Sequence, residues 1–229
     1  MADKYLMWDF GRTLSNHGAV WSNSVLEAIH RTHPKKNVKL EQIKPFFVKG
    51  FPWHTPEIAH DHIKTADQWW LELMQPILNR VFNALEISES EFEGLMQIAR
   101  REMLEARHWT LYEDVIPTLE KLSEDGWKHI ILSNHVPELE EIVVKLEIRH
   151  FFEHVFTSGI VGFEKPHPRI FVFALSKIEA ENQILMIGDN FEHDIEGAAQ
   201  FGISGILVTE SREWILDGVV KSNLLEFLI

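Results

Sequence analysis

Tyr5-Leu6-Met7-Trp8-Asp9-Phe10-Gly11-Arg12-Thr13-Leu14 is an apolar run broken abruptly by an aspartate. Tyr5 to Trp8 show no polar alternation, which predicts a short strand buried on both faces, ending at Asp9. Past Tyr112 the same kind of run recurs as His129-Ile130-Ile131-Leu132, His154-Val155-Phe156, Ile184-Leu185-Met186-Ile187 and Gly205-Ile206-Leu207-Val208. Helical patterns lie between or before these runs, at Val115 to Leu122, Pro137 to Leu146, Ile170 to Leu175 and Ile195 to Phe201. Such alternation predicts an α/β fold, a doubly wound parallel sheet with helices on both faces.

Residues 15–111 differ in character, being rich in helix formers, Trp and His. Amphipathic stretches run around Val25, Leu26 and Ile29, from Ala66 to Leu85, and from Ser88 to about His108. Pro76 is expected to kink or divide the second, and Ser88 with Glu91 has the pattern of a capping box. The expected organisation is a core of residues 1–14 and 112–229, interrupted by a helical insertion over residues 15–111.

The 229 residues are 45% hydrophobic and 25% charged, enough for a substantial core. No apolar run is long enough to cross a bilayer, no secretory pattern opens the chain, and no cysteine is present, so a cytoplasmic location is expected. A net charge of -13 argues against a grip on nucleic-acid phosphates. It leaves room for a small anionic substrate, because local cations or a metal ion can reverse the field within one cleft.

Doubly wound sheets bind ligands at the carboxyl ends of their strands. Those ends carry Asp9, then Ser133-Asn134, then Gly188-Asp189 with Asp194 five residues further on. Glu164-Lys165-Pro166-His167-Pro168 precedes the fourth strand, its prolines placing Lys165 near a helix start. Aspartates are common at strand ends and helix caps, so none of these residues is diagnostic alone.

In order, strand-Asp9, strand-Ser133-Asn134, Lys165-Pro166-His167-Pro168 and strand-Gly188-Asp189 with Asp194 resemble the four motifs of the haloacid dehalogenase-like (HAD) superfamily. The likeness covers Lys4 to Leu14 and about Tyr112 onward, and places the insertion where that superfamily carries a helical cap over a Rossmann-like core. It implies a hydrolase of a small phosphorylated molecule, with Asp9 as nucleophile and an aspartyl-phosphate intermediate. It further implies Mg²⁺ held by Asp9, the Gly11 carbonyl and Asp189, with Asp194 ligating through water or orienting the others. Lys165 would neutralise Asp9 and the phosphoryl oxygens, while Ser133, Asn134 and nearby N–H groups would bind phosphate.

One position departs from the pattern. Phosphatases of the superfamily carry a second Asp where this chain has Gly11, and usually Gly where it has Arg12. Glycine can neither donate a proton nor activate water, a contribution of ~10²–10⁴-fold. Arg12 either stabilises a leaving oxygen or forms a surface ion pair. Lys49-Gly50-Phe51-Pro52-Trp53-His54 has the composition of a substrate-facing loop, with Lys49 and His54 as contacts and His54 in the range for proton transfer; Trp53 could equally pack between helices. Trp69, Trp70 and Leu73 are expected to form cap core, and His17, His135 and His193 to flank the motifs without catalysing. Phosphonate hydrolases of the superfamily also lack the second Asp and use a cap lysine, for which Lys49 is the candidate. Haloacid hydrolysis, and a non-catalytic module binding Mg²⁺ and phosphate, are two further activities compatible with the missing carboxylate.

Overall fold

The computed structural model describes residues 3–16, 18–178 and 183–228. Its strands are β1 (Lys4–Trp8), β2 (Ser15–Asn16), β3 (Thr110–Leu111), β4 (Trp127–Ser133), β5 (Phe152–Thr157), β6 (Gln183–Gly188), β7 (Ser204–Val208), β8 (Trp214–Leu216) and β9 (Val219–Lys221). Seven of them form one sheet in the order β5-β4-β1-β6-β7-β8-β9. The pairings from β5 to β7 are parallel, and β8 and β9 add an antiparallel edge. The sheet confirms the α/β expectation, and all five expected strands lie within it. The antiparallel edge has no signature in the sequence pattern: Trp214–Leu216 and Val219–Lys221 are three residues each, too short for a periodic signal.

The absence of polar alternation in β1 has a direct cause. Leu6 and Trp8 point into one apolar core and Tyr5 and Met7 into another, on the opposite face. Ile131 and Ile187 continue the first core, and Ile130, Leu132 and Met186 the second. β1 lies between β4 and β6, with Trp8 opposite Ile131 and Ile187. The chain runs outward through β4 and β5 on one side and through β6 and β7 on the other. Asp9 therefore emerges where the winding reverses, the place at which such sheets leave a crevice.

Residues 15–111 are helical for the most part, and their two ends pair as a stem, Ser15 with Leu111 and Asn16 with Thr110. Helices Val20–Thr32 and Phe92–Met103 bury Val25, Ala28 and Ile29 alongside Leu95, Met96, Ala99 and Met103. Trp69 and Trp70 are fully buried, as expected of an insertion core. The helix runs unbroken from Ala66 to Ala84, but a π-helical turn at Trp70–Met74 interrupts its α-helical ladder just before Pro76, whose missing N–H would leave a gap there. The capping box does not form, because the Ser88 hydroxyl bonds the Ser90 hydroxyl at 2.9 Å and the helix proper begins only at Phe92. No described helix is long and apolar enough to cross a membrane.

Candidate active site

The Asp9 N–H donates to the Ile187 carbonyl at 2.8 Å, extending the β1–β6 ladder and holding the residue at the sheet edge. One carboxylate oxygen, Oδ1, accepts from the Ser133 hydroxyl at 2.9 Å and from the Lys165 ammonium at 2.8 Å. The same ammonium donates to Asp194 Oδ1 at 2.6 Å. Asp9, Asp189 and Asp194 offer oxygens that lie within 4.8 Å of one another. Four strand or helix termini, far apart in sequence, thus meet at one edge. Most of the cluster is buried, Asp9 being 8% exposed and Ser133, Lys165 and Asp194 2% or less, while Asp189 is half-buried toward the cleft.

Local devices hold each member. A Cβ on Gly188 would lie 2.1 Å from Asp194 Oδ2, so glycine before Asp189 lets the Asp194 carboxylate fold back over the strand end. Asp194 Oδ2 accepts the Asn190 N–H at 3.0 Å, and the Asn190 side chain caps the next turn through the His193 N–H at 2.9 Å. The Asn134 side chain binds the Lys165 backbone twice, donating to its carbonyl at 2.9 Å and accepting its N–H at 2.6 Å. The amide oxygen and one N–H of Asn134 thereby orient Lys165, and the residue also lines the cleft.

The electrostatics follow from burial. Desolvation, reinforced by the charges of Asp9 and Asp194 and opposed by Arg12 and Lys165, pushes the Asp189 carboxyl up to about 7. Desolvation also lifts Asp194 to about 6, with Lys165 opposing and Asp9 adding to it. Burial alone would lower the Lys165 pKa, but the two carboxylates it touches together hold it above its ordinary value. Three carboxylates against the Lys165 and Arg12 cations leave an excess of negative charge, and the raised carboxyls register it. An oxygen-coordinated divalent cation fits this donor set.

Gly11 and Arg12 form a tight loop behind Asp9, in which the Arg12 N–H donates to the Ser15 carbonyl at 2.7 Å. Arg12 sits at φ 61°, in the left-handed region. Its Nε lies 3.2 Å from Asp189 Oδ2 and its terminal nitrogen 2.6 Å from Glu210, so it is an ion-pairing residue that also lines the cleft.

A cleft of about 620 Å³ opens above these groups, lined by Asp9, Gly11, Arg12, Ser133, Asn134, Lys165, Asp189 and Asp194 together with insertion residues. His54 and His193 are part of the lining. The His54 Nδ1 accepts the Gly50 N–H at 3.1 Å, which leaves the neutral ring's proton on Nε2, and burial lowers its pKa. Lys49 is not among the cleft residues; it is exposed, and its carbonyl accepts from Arg80 at 3.4 Å. Trp21, Lys44, Phe47 and Trp109 also line the cleft, and sequence reasoning misses them because nothing local distinguishes a cleft aromatic from a core one. Asn190 does have a signal, an Asn three residues before His193 at a helix start. His17 lies outside the described residues.

Fold and site together define a doubly wound α/β protein with a buried carboxylate–lysine cluster at its topological switch point. Residues 8–202 match the family of haloacid dehalogenase-like hydrolases, and the chain belongs to that family. Haloacid dehalogenase-like hydrolase domain-containing protein 3 of Bos taurus is 29% identical over 171 residues, 74% of this chain and 66% of that protein. The glyceraldehyde 3-phosphate phosphatase of Methanothermobacter thermautotrophicus is 38% identical over 116 residues, 49% of this chain and 51% of that one. The chain thus spans about half to two thirds of the length of these curated relatives. The crystal structure of 2-haloacid dehalogenase from Pseudomonas syringae pv. Tomato DC3000 superimposes with a TM-score of 0.67, covering 99% of this chain and 96% of that one at 22% identity. That likeness is one of fold.

Proposed function

We propose that the protein is a Mg²⁺-dependent hydrolase of a small phosphorylated molecule, working through an aspartyl-phosphate on Asp9. The observation that carries this reading is the convergence of Asp9, Ser133, Lys165, Asp189 and Asp194 on one buried edge. The phosphatase name of the 38% identical relative supports it. Residues 15–111 serve as the cap in this reading, and the location is cytoplasmic.

Phosphoryl transfer needs positioning and charge neutralisation more than covalent assistance. Asp9 takes the phosphoryl group from the ester oxygen, and water then hydrolyses the aspartyl-phosphate. Lys165 pairs with the Asp9 carboxylate and faces the phosphoryl oxygens, held in place by Asn134. Ser133 steadies the nucleophile, and its hydroxyl is within reach of a bound phosphate. Asp9, the Gly11 carbonyl, Asp189 and Asp194 would hold Mg²⁺, which when bound supplies positive charge to the phosphoryl oxygens. Gly11 brings no acid to the leaving group. His54 stands in the cleft wall, and its Nε2–H makes no hydrogen bond among the described residues, so it is the candidate for proton transfer.

Exposure of Lys49 outside the cleft speaks against a Schiff-base phosphonate mechanism, which needs a desolvated amine. The clustered carboxylates speak against haloacid chemistry, which has no use for a cation site. Asp9→Asn is expected to abolish Mg²⁺-dependent release of phosphate from acetyl phosphate while preserving the circular dichroism spectrum. Turnover near the wild-type rate would place the chemistry elsewhere. A wild-type protein that binds Mg²⁺ but never forms an acid-stable phosphoprotein would instead be the non-catalytic binder, a reading favoured by Gly11 and by the Arg12–Asp189 ion pair.

A further inference from the structure

The wall of the cleft facing the carboxylate cluster is aromatic. Trp21, Phe47 and Trp53 line it, and all three are half-buried. Trp21 and Phe47 are stacked, with ring centroids 6.3 Å apart and planes at 23°; Trp21 and Trp53 are 6.2 Å apart. Two more rings pack against them, Phe51 within the lining and Trp70 behind it. Phe51, 4% exposed, stacks on Trp53 at 4.5 Å and 10°, and Trp70, 1% exposed, lies 6.0 Å from Trp21. Rings that merely filled the insertion core would be buried as Trp69 and Trp70 are. These three are backed by core and keep a surface toward the cleft. Among the described cleft residues the carboxylates are Asp9, Asp189 and Asp194, all at the phosphate end. Away from that end the lining is mainly aromatic, with Ser22, Lys44 and His54 beside the rings, so a flat apolar ring gains the most contact there.

We propose that the substrate is a phosphate monoester whose alcohol part carries a flat aromatic ring, seated against Trp21, Phe47 and Trp53 while its phosphate lies at Asp9 and Lys165. This rests on the hydrolase reading above and adds the substrate class to it. The reaction balances as an ordinary hydrolysis. The ester P–O bond breaks, the phosphoryl group passes to Asp9 and then to water, and the aromatic alcohol departs with a proton that water ultimately supplies. Ring contact is the source of selectivity, because a planar ring packs against aromatic faces, whether stacked like Trp21 and Phe47 or tilted like Trp53, better than a puckered saturated ring does.

Benzyl phosphate and cyclohexylmethyl phosphate separate this effect from leaving-group chemistry, since both release a primary alcohol and differ in the flatness of the ring. With Mg²⁺, kcat/KM for benzyl phosphate is expected to exceed that for cyclohexylmethyl phosphate by about fivefold or more. Trp53→Leu and, independently, Phe47→Leu should each reduce that ratio by roughly two- to tenfold, their folding being checked by circular dichroism. Acetyl phosphate, an activated phosphoryl donor without a ring, is the third substrate. Turnover of acetyl phosphate with a benzyl-to-cyclohexylmethyl ratio near one in wild type overturns the aromatic inference and leaves the hydrolase reading standing. A high ratio that neither variant moves also overturns it, since the ring then binds elsewhere. No turnover of any of the three removes the hydrolase reading and this inference with it.

Discussion

Arg12 occupies a backbone region that costs an ordinary L-residue about 1–2 kcal/mol, and it does so beside the nucleophile. Local strain persists where surroundings hold it, here through ion pairs to Asp189 and Glu210. Exposed pairs of this kind contribute about 0–1 kcal/mol, so they offset the backbone term only in part. Their effect on the site is larger than their effect on the fold. A guanidinium on Asp189 competes with any cation for that carboxylate. Arg12→Gly should therefore strengthen Mg²⁺ binding several-fold, measured by titration calorimetry at about pH 8.5, above the value of about 7 to which Asp189 is raised. The melting temperature should move little. Weaker Mg²⁺ binding in the variant would mean that Arg12 helps to build the site.

At the scale of elements, the loop at His60 is seated against the segment leading to Lys165. The His60 N–H donates to the Gly162 carbonyl at 2.9 Å. Gly162, at φ 84°, lets the two backbones touch, for a Cβ there would lie 2.4 Å from the Asp61 Cα. Across this contact His60 and Glu164 are both buried, with Nε2 and Oε1 3.4 Å apart. Burial pushes the Glu164 carboxyl up to about 8 from its ordinary 4.5, against a Ser158 hydrogen bond and the Lys165 charge, and burial lowers the His60 pKa. Both groups are accordingly neutral at pH 7. The folded chain then holds a proton that the unfolded chain releases. Stability should fall as pH rises from about 4.5 to about 8, and level off above. Glu164→Gln keeps the neutral shape and removes that slope. Thermal melts at about pH 5 and about pH 8 should show the variant gaining on wild type at the higher pH, by a few kcal/mol at most. Parallel curves would mean that Glu164 is ionised in the folded protein.

Across the whole molecule, acidity is concentrated as well as abundant. A net charge of -13 accompanies a buried site where Asp189 titrates near 7 and Asp194 near 6. Raised carboxyls bind protons more tightly in the folded state, so the metal-free protein loses stability from these groups between about pH 4 and pH 7. A cation at the cluster must displace the same protons, and its affinity rises over that window. Millimolar Mg²⁺ is therefore expected to raise the melting temperature more at about pH 8 than at about pH 6. A pH-independent increment, or an equal one in Asp189→Asn, would place the ion outside the cluster.

Much of this is legible in the residues themselves. The uninterrupted apolar runs Tyr5 to Trp8, His129 to Leu132 and Ile184 to Ile187 spell buried parallel strands, because a strand covered on both faces can carry no polar alternation. Their ends name Asp9, Ser133 and Asp189, since doubly wound topology brings such ends to one edge whatever the helices between them do. Gly11 and Arg12 are visible as departures only against the motif that the sequence resembles. Tertiary structure alone decides the rest. Asn134 clamps the Lys165 backbone, a partnership across thirty-one residues that no local pattern encodes. Lys49 and His54, close together in one loop, part company, His54 entering the cleft and Lys49 facing solvent. Trp21, Phe47 and Trp53 carry the same apolar signal as Trp69 and Trp70, yet only the packing of the insertion over the sheet makes some of them wall and others core. Hydrophobic periodicity reports that a face is buried; what buries it is a property of the folded chain.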